Sequence, residues 1–398
     1  MSQTKHVAAT LAVVAAATFA FGCGSSDDDS SSTSTAGTAA ASSTTGGDTG
    51  GVDLAKYQAV VDQAMKGPTE WEGPTEPVTP PKDIKLAIIT CASVLQGCSD
   101  PAKAAAQAAK DLGWQATVYD GKGDPATQNK LVTQAVNSGA DAILTFSIDP
   151  SFIKSGLAAA KAKGIPVGSS AQGVAAADDG FAFDVGANWE EVGNIQGNWI
   201  VADSQGKAVF QPMIDKEYAS VVASAEKAID VVKSCSTCEV KDPEEFVGAN
   251  VGNGLGSRVV GLLRRDPKVD YLLATYDPAA ADVAAAVNNA GMSSKVKVIG
   301  QIGLSQNFAL IRDGKGQAAD VAFDQTYTGY ATVDQLIRYL TKKPLIKSDK
   351  TTDERYIYGE NVPMKLITAE NAPPEGEAYN APVDAVGHYR ELWGLSGS

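Results

Sequence analysis

The five cysteines and two histidines of this 398-residue chain are the side chains that could carry nucleophilic, redox or metal-binding chemistry. Four of the cysteines fall into two close pairs, Cys91 with Cys98 and Cys235 with Cys238, and proximity favours these two pairings among the three that are possible. Outside the cytoplasm such pairs form disulfides by default. Two alternatives stay open for Cys235-Ser-Thr-Cys238: a redox CxxC motif or, if the two pairs adjoin, an all-cysteine zinc site. This pair follows a predicted helix instead of preceding one, which favours a structural disulfide.

Of the two histidines, His6 lies in the first residues of the chain and His388 lies in the tail near its end. The body therefore has no Ser-His-Asp or Cys-His arrangement and no histidine metal site. It also has no phosphate-binding P-loop sequence, and the glycines of residues 252–257 do not have the spacing of a dinucleotide-binding loop. The sequence predicts a protein that is not an enzyme and that holds no cofactor and no metal.

The first 22 residues have the pattern of a secretory signal. A short n-region with Lys5 precedes an apolar run from Val7 to Phe21, which is shorter than the roughly 20 residues that span a bilayer. The stretch Ala20-Phe21-Gly22-Cys23 resembles the bacterial lipoprotein signal, in which the cysteine is lipidated. We therefore expect a lipoprotein signal peptide over 1–22, lipidation of Cys23 and an extracytoplasmic protein anchored to the cell membrane. Ordinary cleavage with Cys23 as a spare thiol is the alternative.

Residues 23–51 consist almost entirely of Ser, Thr, Gly, Ala and Asp. Such a segment buries too little apolar surface to offset its chain entropy, which predicts a disordered tether. Residues 52–82 are predicted to form a short helix and a Pro-rich spacer that packs loosely on the body or stiffens the tether. The formal charge of −14 argues against nucleic acid as a partner.

Predicted strands and helices alternate from Asp83 onward. Three helical segments begin with Asp-Pro, an N-cap followed by proline, and end on glycine: 100–113, 124–139 and 149–164. The strands between them are near-continuous apolar runs, which is typical of strands covered on both faces. The alternation restarts after residue 205. The sequence therefore predicts an α/β fold of two bodies, each with a parallel-type sheet.

Three stretches resemble the sugar-type (type I) periplasmic-binding-protein superfamily, whose best-known members bind ribose and galactose. They are DGKGDPATQNKLVTQAVNSGADAILTFSIDP at 120–150, AAKAKGIPV at 159–167 and VPMKLITAEN at 362–371. The resemblance covers residues 83–373. It implies two Rossmann-like lobes joined by a three-segment hinge, with ligand held between the lobes at the carboxyl ends of the strands.

By analogy with this family, the hinge crossings lie near 186–188, 323–325 and 364–366. The N-terminal lobe would be 83–187 plus 325–364, and the C-terminal lobe 188–324 plus 365–393. The Cys91–Cys98 pair would brace the loop after the first strand, which lines the cleft in this family, and would thereby reduce the entropy lost on binding. For the tail, 374–398, we expect only that Tyr389, Leu392 and Trp393 pack it back on a lobe.

The candidate ligand-binding residues follow the strands or lie at the crossings: Gln96, Phe146, Ser147, Gln172, Asn188, Tyr218, Asn250, Tyr276, Gln301, Phe323 and Asp324. Core packing is the alternative for the aromatic residues, and a solvated loop for the polar ones. Asp149 and Asp277 also follow strands, but each precedes a proline, so helix capping is the favoured interpretation for them.

One departure from the family concerns the loop after the fourth strand. The ribose and galactose binders carry an Asp-Arg pair there, whereas this chain has Ala171-Gln172, and no arginine falls at a predicted cleft position. An anionic ligand is therefore disfavoured. We expect a small neutral solute, a sugar or sugar-like molecule, and the alternative is an aromatic or less hydroxylated one.

The function implied by the resemblance is that of a solute-binding lipoprotein that delivers its ligand to the permease of an ABC importer. Its partners would be a small solute, the permease and, through the lipid anchor, the membrane, and the protein would be a monomer. A sensor that presents ligand to a membrane receptor is the alternative within binding proteins. A secreted enzyme is the alternative from another class, and turnover of bound ligand would identify it.

Overall fold

A computed structural model describes residues 52–173, 180–348 and 359–395. The predicted signal peptide (1–22), the lipidation site Cys23 and the tether (23–51) lie outside the described residues. Within the described ranges, no helix has both the length and the apolar character needed to cross a membrane.

The first sheet contains five parallel strands in the order β2-β1-β3-β4-β5. They are β1 (Lys85–Thr90), β2 (Gln115–Asp120), β3 (Ala142–Phe146), β4 (Val167–Ser170) and β5 (Asp184–Val185). Helices α2 (Gln96–Asp111), α3 (Pro125–Asn137) and α4 (Lys154–Ala162) connect its strands. The local signals act as predicted in α3, where the Asp124 carboxylate caps the helix by accepting from the Thr127 N–H and Pro125 occupies the first turn.

The second sheet is parallel except for its last strand and follows the order β12-β11-β10-β9-β6-β7, with β8 also paired to β6. Its strands are β6 (Val209–Asp215), β7 (Glu239–Val240), β8 (Glu244–Phe246), β9 (Tyr271–Ala274), β10 (Lys297–Ile302), β11 (Gln317–Phe323) and β12 (Met364–Thr368). Helices α5 (Trp189–Asp203), α6 (Ala219–Lys233), α7 (Leu255–Arg265), α8 (Asp277–Asn289) and α9 (Ser305–Arg312) accompany it. The predicted α/β fold with two parallel-type sheets is confirmed.

From β5 to β12, the described chain passes between the two sheets at three places. It leaves the first sheet through residues 186–188 and enters α5, which packs on α6. It returns at Asp324 into α10 (Gln325–Leu340), which packs on α2. The third predicted crossing, 364–366, lies inside β12, which pairs with β11. The chain has therefore reached the second sheet by Met364, and residues 359–363 precede it. We call the two bodies the first and the second lobe.

The N-terminal segment, residues 52–82, packs tightly on the body, contrary to the loose packing expected from its sequence. Helix α1 (Leu54–Lys66) packs on α5 and β12 of the second lobe and buries Tyr57 and Val61. The Trp71 ring then stacks on His388 with centroids 4.4 Å apart. The Val78 N–H donates to the Leu392 carbonyl, 3.0 Å away. Aromatic and aliphatic side chains thus hold a Pro-rich stretch that composition alone marks as a spacer.

The C-terminal tail returns to the first lobe. Its last helix, α11 (Ala385–Leu392), packs on α10, and Tyr389, Leu392 and Trp393 are buried as expected. The Trp393 indole N–H donates to Asp334 of α10 at 2.8 Å, and its ring stacks on Tyr330 at 5.7 Å between centroids. Residues 365–393 were all assigned to the second lobe, and these contacts correct that assignment for 385–393.

Both predicted disulfides are confirmed, Cys91–Cys98 and Cys235–Cys238. The start of α2 was predicted at the Asp-Pro of residues 100–101, and this prediction is wrong. The helix instead begins at Gln96, because the Cys98 and Ser99 N–H groups already donate to the Leu95 carbonyl. Pro101 consequently lies inside the helix.

Candidate ligand-binding site

A cavity lies between the two lobes at the carboxyl ends of strands from both sheets, where ligands of open α/β sheets bind. The first lobe contributes Leu95, Gly97, Cys98, Ser147 and Ala171 to its lining. The second lobe contributes Trp189, Tyr218, Ser220, Val221, Tyr276, Pro278, Gln301, Ile302 and Phe323. We call this cavity the cleft. Its volume, counted as space open to the centre of a water molecule, is about 70 Å³.

The lobes touch each other across the cleft, so the structure represents a closed state. The Ser220 N–H donates to the Gln172 carbonyl at 3.0 Å, which joins the start of α6 to the end of β4. On the other side, a Cβ added to Gly97 would lie 2.9 Å from the Ile302 side chain. A glycine at this point of α2 therefore lets the two lobes approach.

Five of the predicted binding residues line the cleft: Ser147, Tyr218, Tyr276, Gln301 and Phe323. The rings of Tyr218 and Tyr276 meet edge to face with centroids 6.0 Å apart. The Phe323 ring meets that of Trp189 in the same manner at 5.2 Å. Each pair forms an aromatic contact that fixes both rings.

The Gln301 side chain is 1% exposed, and hydrogen bonds to its amide oxygen fix its orientation. Oε1 accepts from Gln196 Nε2 at 3.1 Å and from Ser224 Oγ at 3.0 Å. The amide nitrogen, Nε2, makes no hydrogen bond to a described residue. This arrangement leaves a fixed donor at the cleft.

Three predicted residues are placed away from the cleft lining by their local structure. Gln96 is exposed as the first residue of α2. Phe146 is fully buried in the core of the first lobe. Asn188 caps α5, its Oδ1 accepting from the Glu191 N–H at 3.2 Å.

The other three predicted residues also use their side chains elsewhere. Gln172 is buried and its Nε2 donates to Asp149 at 3.4 Å. The Asn250 Oδ1 accepts from the Val247 N–H at 3.1 Å. Asp324 caps α10 and also accepts from the Ala381 N–H at 2.9 Å, so its carboxylate holds the hinge and the tail.

The sequence analysis placed the loop of Leu95 and Cys98 and the turn of Ala171 at the cleft only by analogy with the family. It did not name the other lining residues, which are Gly97, Trp189, Ser220, Val221, Pro278 and Ile302. Trp189 carried a signal that was not used, because it directly follows the predicted crossing at 186–188. For the aliphatic residues no local signal exists, since only the docking of one lobe on the other brings them to the cleft.

Three lining residues have backbones in the left-handed region that L-residues rarely adopt. They are Ser147 with φ 53°, Ala171 with φ 60° and Ile302 with φ 127°. Each ends or follows a strand, and such conformations cost on the order of 1–3 kcal/mol each.

Three buried carboxylates, those of Asp215, Asp277 and Asp320, lie behind the residues that line the cleft. Asp215 accepts from the Tyr276 hydroxyl at 2.8 Å, and its burial raises its pKa from 3.8 to about 6. Asp277 begins α8 without capping it, contrary to expectation, and instead accepts from the N–H groups of Gly303 and Leu304 at 3.0 and 2.7 Å. Burial raises the pKa of both Asp277 and its neighbour Asp320. Within the described ranges, no group of three or more His, Cys, Asp or Glu side chains could hold a metal ion.

Comparisons with known proteins agree with this geometry. The chain matches the family model of the periplasmic binding protein domain over residues 93–344. No curated protein sequence matches it. Among solved structures, it is similar to an ABC sugar transporter subunit from Rhodobacter sphaeroides, with 18% identity and a TM-score of 0.63 over 72% of this chain and 99% of that one.

Two further neighbours have ligands in their names. A glucose-galactose binding protein from Geobacillus stearothermophilus is 18% identical, with a TM-score of 0.64 over 74% of this chain and 100% of that one. An ABC transporter solute-binding protein from Agrobacterium vitis, solved with bound allitol, is 18% identical, with a TM-score of 0.63 over 73% and 97%. These identities show the fold alone, and the match to the family model covers more than half of the sequence. The chain belongs to the periplasmic binding protein family.

Proposed function

We propose that this protein is an extracytoplasmic, lipid-anchored solute-binding protein that captures a small uncharged solute between its lobes and delivers it to the permease of an ABC importer. The observation that carries the proposal is the closed cleft, whose lining comes from both lobes. A ligand held there contacts both lobes at once, so binding stabilises the closed state.

The proposal that the solute is uncharged is based on the residues that line the cleft. None of the described residues that line the cleft has a charged side chain. Burial of an unpaired charge is expensive, so an ionic solute would need a partner that this lining does not offer. Sugars and a polyol are the ligands named for the neighbours, and a sugar or sugar-like solute was the expectation from sequence.

Membrane attachment and delivery rest on the N-terminus and on the family. Cys23 follows a signal-like segment, and residues 24–51 provide a polar tether of 28 residues. At such a length a flexible chain spans about 30 Å, which leaves the folded body free to reach a permease in the same membrane. Replacement of Cys23 by alanine is expected to move the protein from the membrane fraction to the soluble fraction.

Capture in the cleft is tested by analysis of the small molecules that stay bound during native purification. The full chain and its Gly97→Leu variant are purified in parallel, denatured, and the released compounds identified by mass spectrometry. Leucine at Gly97 projects toward Ile302, so it opposes closure while each lobe keeps its own core. Gly261→Leu is the matched control, since a Cβ there meets only the Arg265 side chain, at 3.6 Å.

We expect one compound at up to one molecule per chain from the wild type and from Gly261→Leu, and its loss from Gly97→Leu. The same compound in equal amount from all three proteins would show that capture does not occur in the cleft. Reisolation of a chemically altered product would instead indicate an enzyme.

A further inference from the structure

The cleft wall is dominated by rings and aliphatic side chains. The edge-to-face pairs Trp189–Phe323 and Tyr218–Tyr276 belong to it, and Val221 and Ile302 complete its apolar surface. Aromatic faces and edges favour contact with other rings in offset or edge-to-face geometry. The wall therefore has the composition of a site for a ring compound with a large apolar surface.

Few polar atoms of this wall are available to a ligand. The Tyr276 hydroxyl already donates to Asp215, and the Gln301 Oε1 already accepts two hydrogen bonds. Three polar atoms of lining side chains make no hydrogen bond to a described residue, namely Ser147 Oγ, Tyr218 Oη and Gln301 Nε2. Two of these are hydroxyls, which can donate or accept, and one is an amide donor, so the side chains of the site offer a ligand three polar partners.

A monosaccharide fits this inventory poorly. A pyranose carries four or five hydroxyls, each of which loses its water on burial and costs about 1–3 kcal/mol when it finds no partner. Where the ribose and galactose binders have an Asp-Arg pair, this chain has Ala171 and Gln172. The Gln172 side chain is buried and donates to Asp149. The described lining thus lacks the charge-assisted partners that hydroxyl-rich ligands use.

The cleft itself has room for one ring, and a second pocket of about 320 Å³, which shares Leu95, Tyr218, Tyr276 and Pro278 with it, lies beside it. A single water needs about 10–15 Å³ on the same measure of volume. The 70 Å³ of the closed cleft therefore holds only a handful of waters, which matches a six-membered ring with a short substituent.

We infer that the natural ligand is an uncharged, single-ring aromatic compound that carries one or two hydrogen-bond acceptors such as a carbonyl or an ether. The inference rests on the proposed function, because it names the solute that the cleft captures. The ring packs between the aromatic pairs, and its acceptor receives the Gln301 Nε2–H. Neither the sugars nor the polyol named for the neighbours belong to this class.

The test is isothermal titration calorimetry on the purified full chain with single probes. Acetophenone and 4-methoxybenzaldehyde represent the inferred class, D-ribose and D-galactose the sugars, sorbitol the polyols and choline the small cations. We expect the aromatic probes to bind at least tenfold more tightly than every other probe. Tighter binding of a sugar or a polyol overturns the ligand class and leaves the proposed capture function standing. Tighter binding of choline overturns both the ligand class and the proposal that the captured solute is uncharged. If no probe gives a heat of binding up to 10 mM, the inferred ligand class is overturned. The proposed capture function is then still tested separately, by the compounds released from the native protein.

Two variants distinguish an effect on ligand contacts in the cleft from an effect on the stability of the protein. Val221→Thr keeps the shape of the side chain and places a hydroxyl against the ligand ring, so affinity for the aromatic probes should fall about five- to tenfold. Val259→Thr makes the same change in the core of the second lobe, away from the cleft, and should leave affinity unchanged even if it lowers the melting temperature. Equal affinities of the two variants, or tighter binding by Val221→Thr, would overturn the inference.

Discussion

Substitution of Gly193 by alanine probes the closest helix contact of the second lobe. Gly193 lies in α5, and a Cβ at this position would lie 2.0 Å from the Ser224 carbonyl oxygen and 2.8 Å from the Lys227 Cβ on α6. The first obstacle is backbone and cannot rotate away. The two helices must therefore separate by about 1 Å, and a gap of that size forfeits roughly a quarter to a half of each dispersion contact along the pair.

The size of the effect follows from two opposing contributions. Alanine is better than glycine in a helix interior by about 1 kcal/mol. Overpacking of a dense interior costs about 1–3 kcal/mol, and more when the obstacle is rigid. Since the obstacle is rigid backbone, the cost lies near the top of this range, and we expect Gly193→Ala to lower the free energy of unfolding by about 2 kcal/mol. Because α5 begins at Trp189, the same shift should also weaken ligand binding.

Gly261→Ala is the matched control. Gly261 is also inside a helix, α7, but its new Cβ meets only the end of the Arg265 side chain, at 3.6 Å. This variant should gain about 0.5–1 kcal/mol from propensity alone. Urea unfolding followed by far-ultraviolet circular dichroism gives both values from the midpoints and slopes. If Gly193→Ala proves as stable as Gly261→Ala, the tight contact between α5 and α6 is wrong and the packing argument fails.

Three further predictions concern the disulfide, a buried acid and a buried ion pair. Replacement of both Cys91 and Cys98 by serine, which opens a loop with a sequence separation of 7, should cost about 2 kcal/mol in urea unfolding; an unchanged midpoint would contradict it. Burial raises the pKa of Asp215 from 3.8 to about 6, so between these values the folded state keeps a proton that the unfolded state loses. The stability of the wild type relative to Asp215→Asn should therefore fall as the pH rises from about 4 to 6, by up to roughly 3 kcal/mol, and unfolding at each pH tests the sign. Arg338→Met removes the cation that lies 2.5 Å from the buried Asp334 carboxylate and should cost about 3–5 kcal/mol, while a loss below 1 kcal/mol would show that the pair is not buried in solution.

The order of strands and helices could be predicted from the sequence because its signals are local. An Asp-Pro start and a glycine end mark α3, and a continuous apolar run marks β1, whatever lies elsewhere in the chain. Predictions from local signals were wrong where contacts with residues distant in sequence determine the structure. Trp71 lies in a Pro-rich stretch whose composition predicts a spacer. Its ring nevertheless packs on Tyr327 and Tyr389, which lie more than 250 positions further along the chain.

The cleft was only half predictable for the same reason. The rule that ligands lie beyond the carboxyl ends of strands finds Ser147, Tyr276 and Gln301 from their positions alone. It cannot say which way a side chain turns, and Asp324 turns to cap a helix and to bind the tail.

The sequence by itself determined the fold class, the two cysteine pairs and the scarcity of catalytic groups, since these depend on residue type and spacing along the chain. The tertiary structure alone decided that aliphatic residues such as Val221 and Ile302 line the cleft, because the docking of the second lobe on the first brings them there. Contacts between residues far apart in sequence leave no trace in the local pattern, and the chemistry of this cleft consists of such contacts.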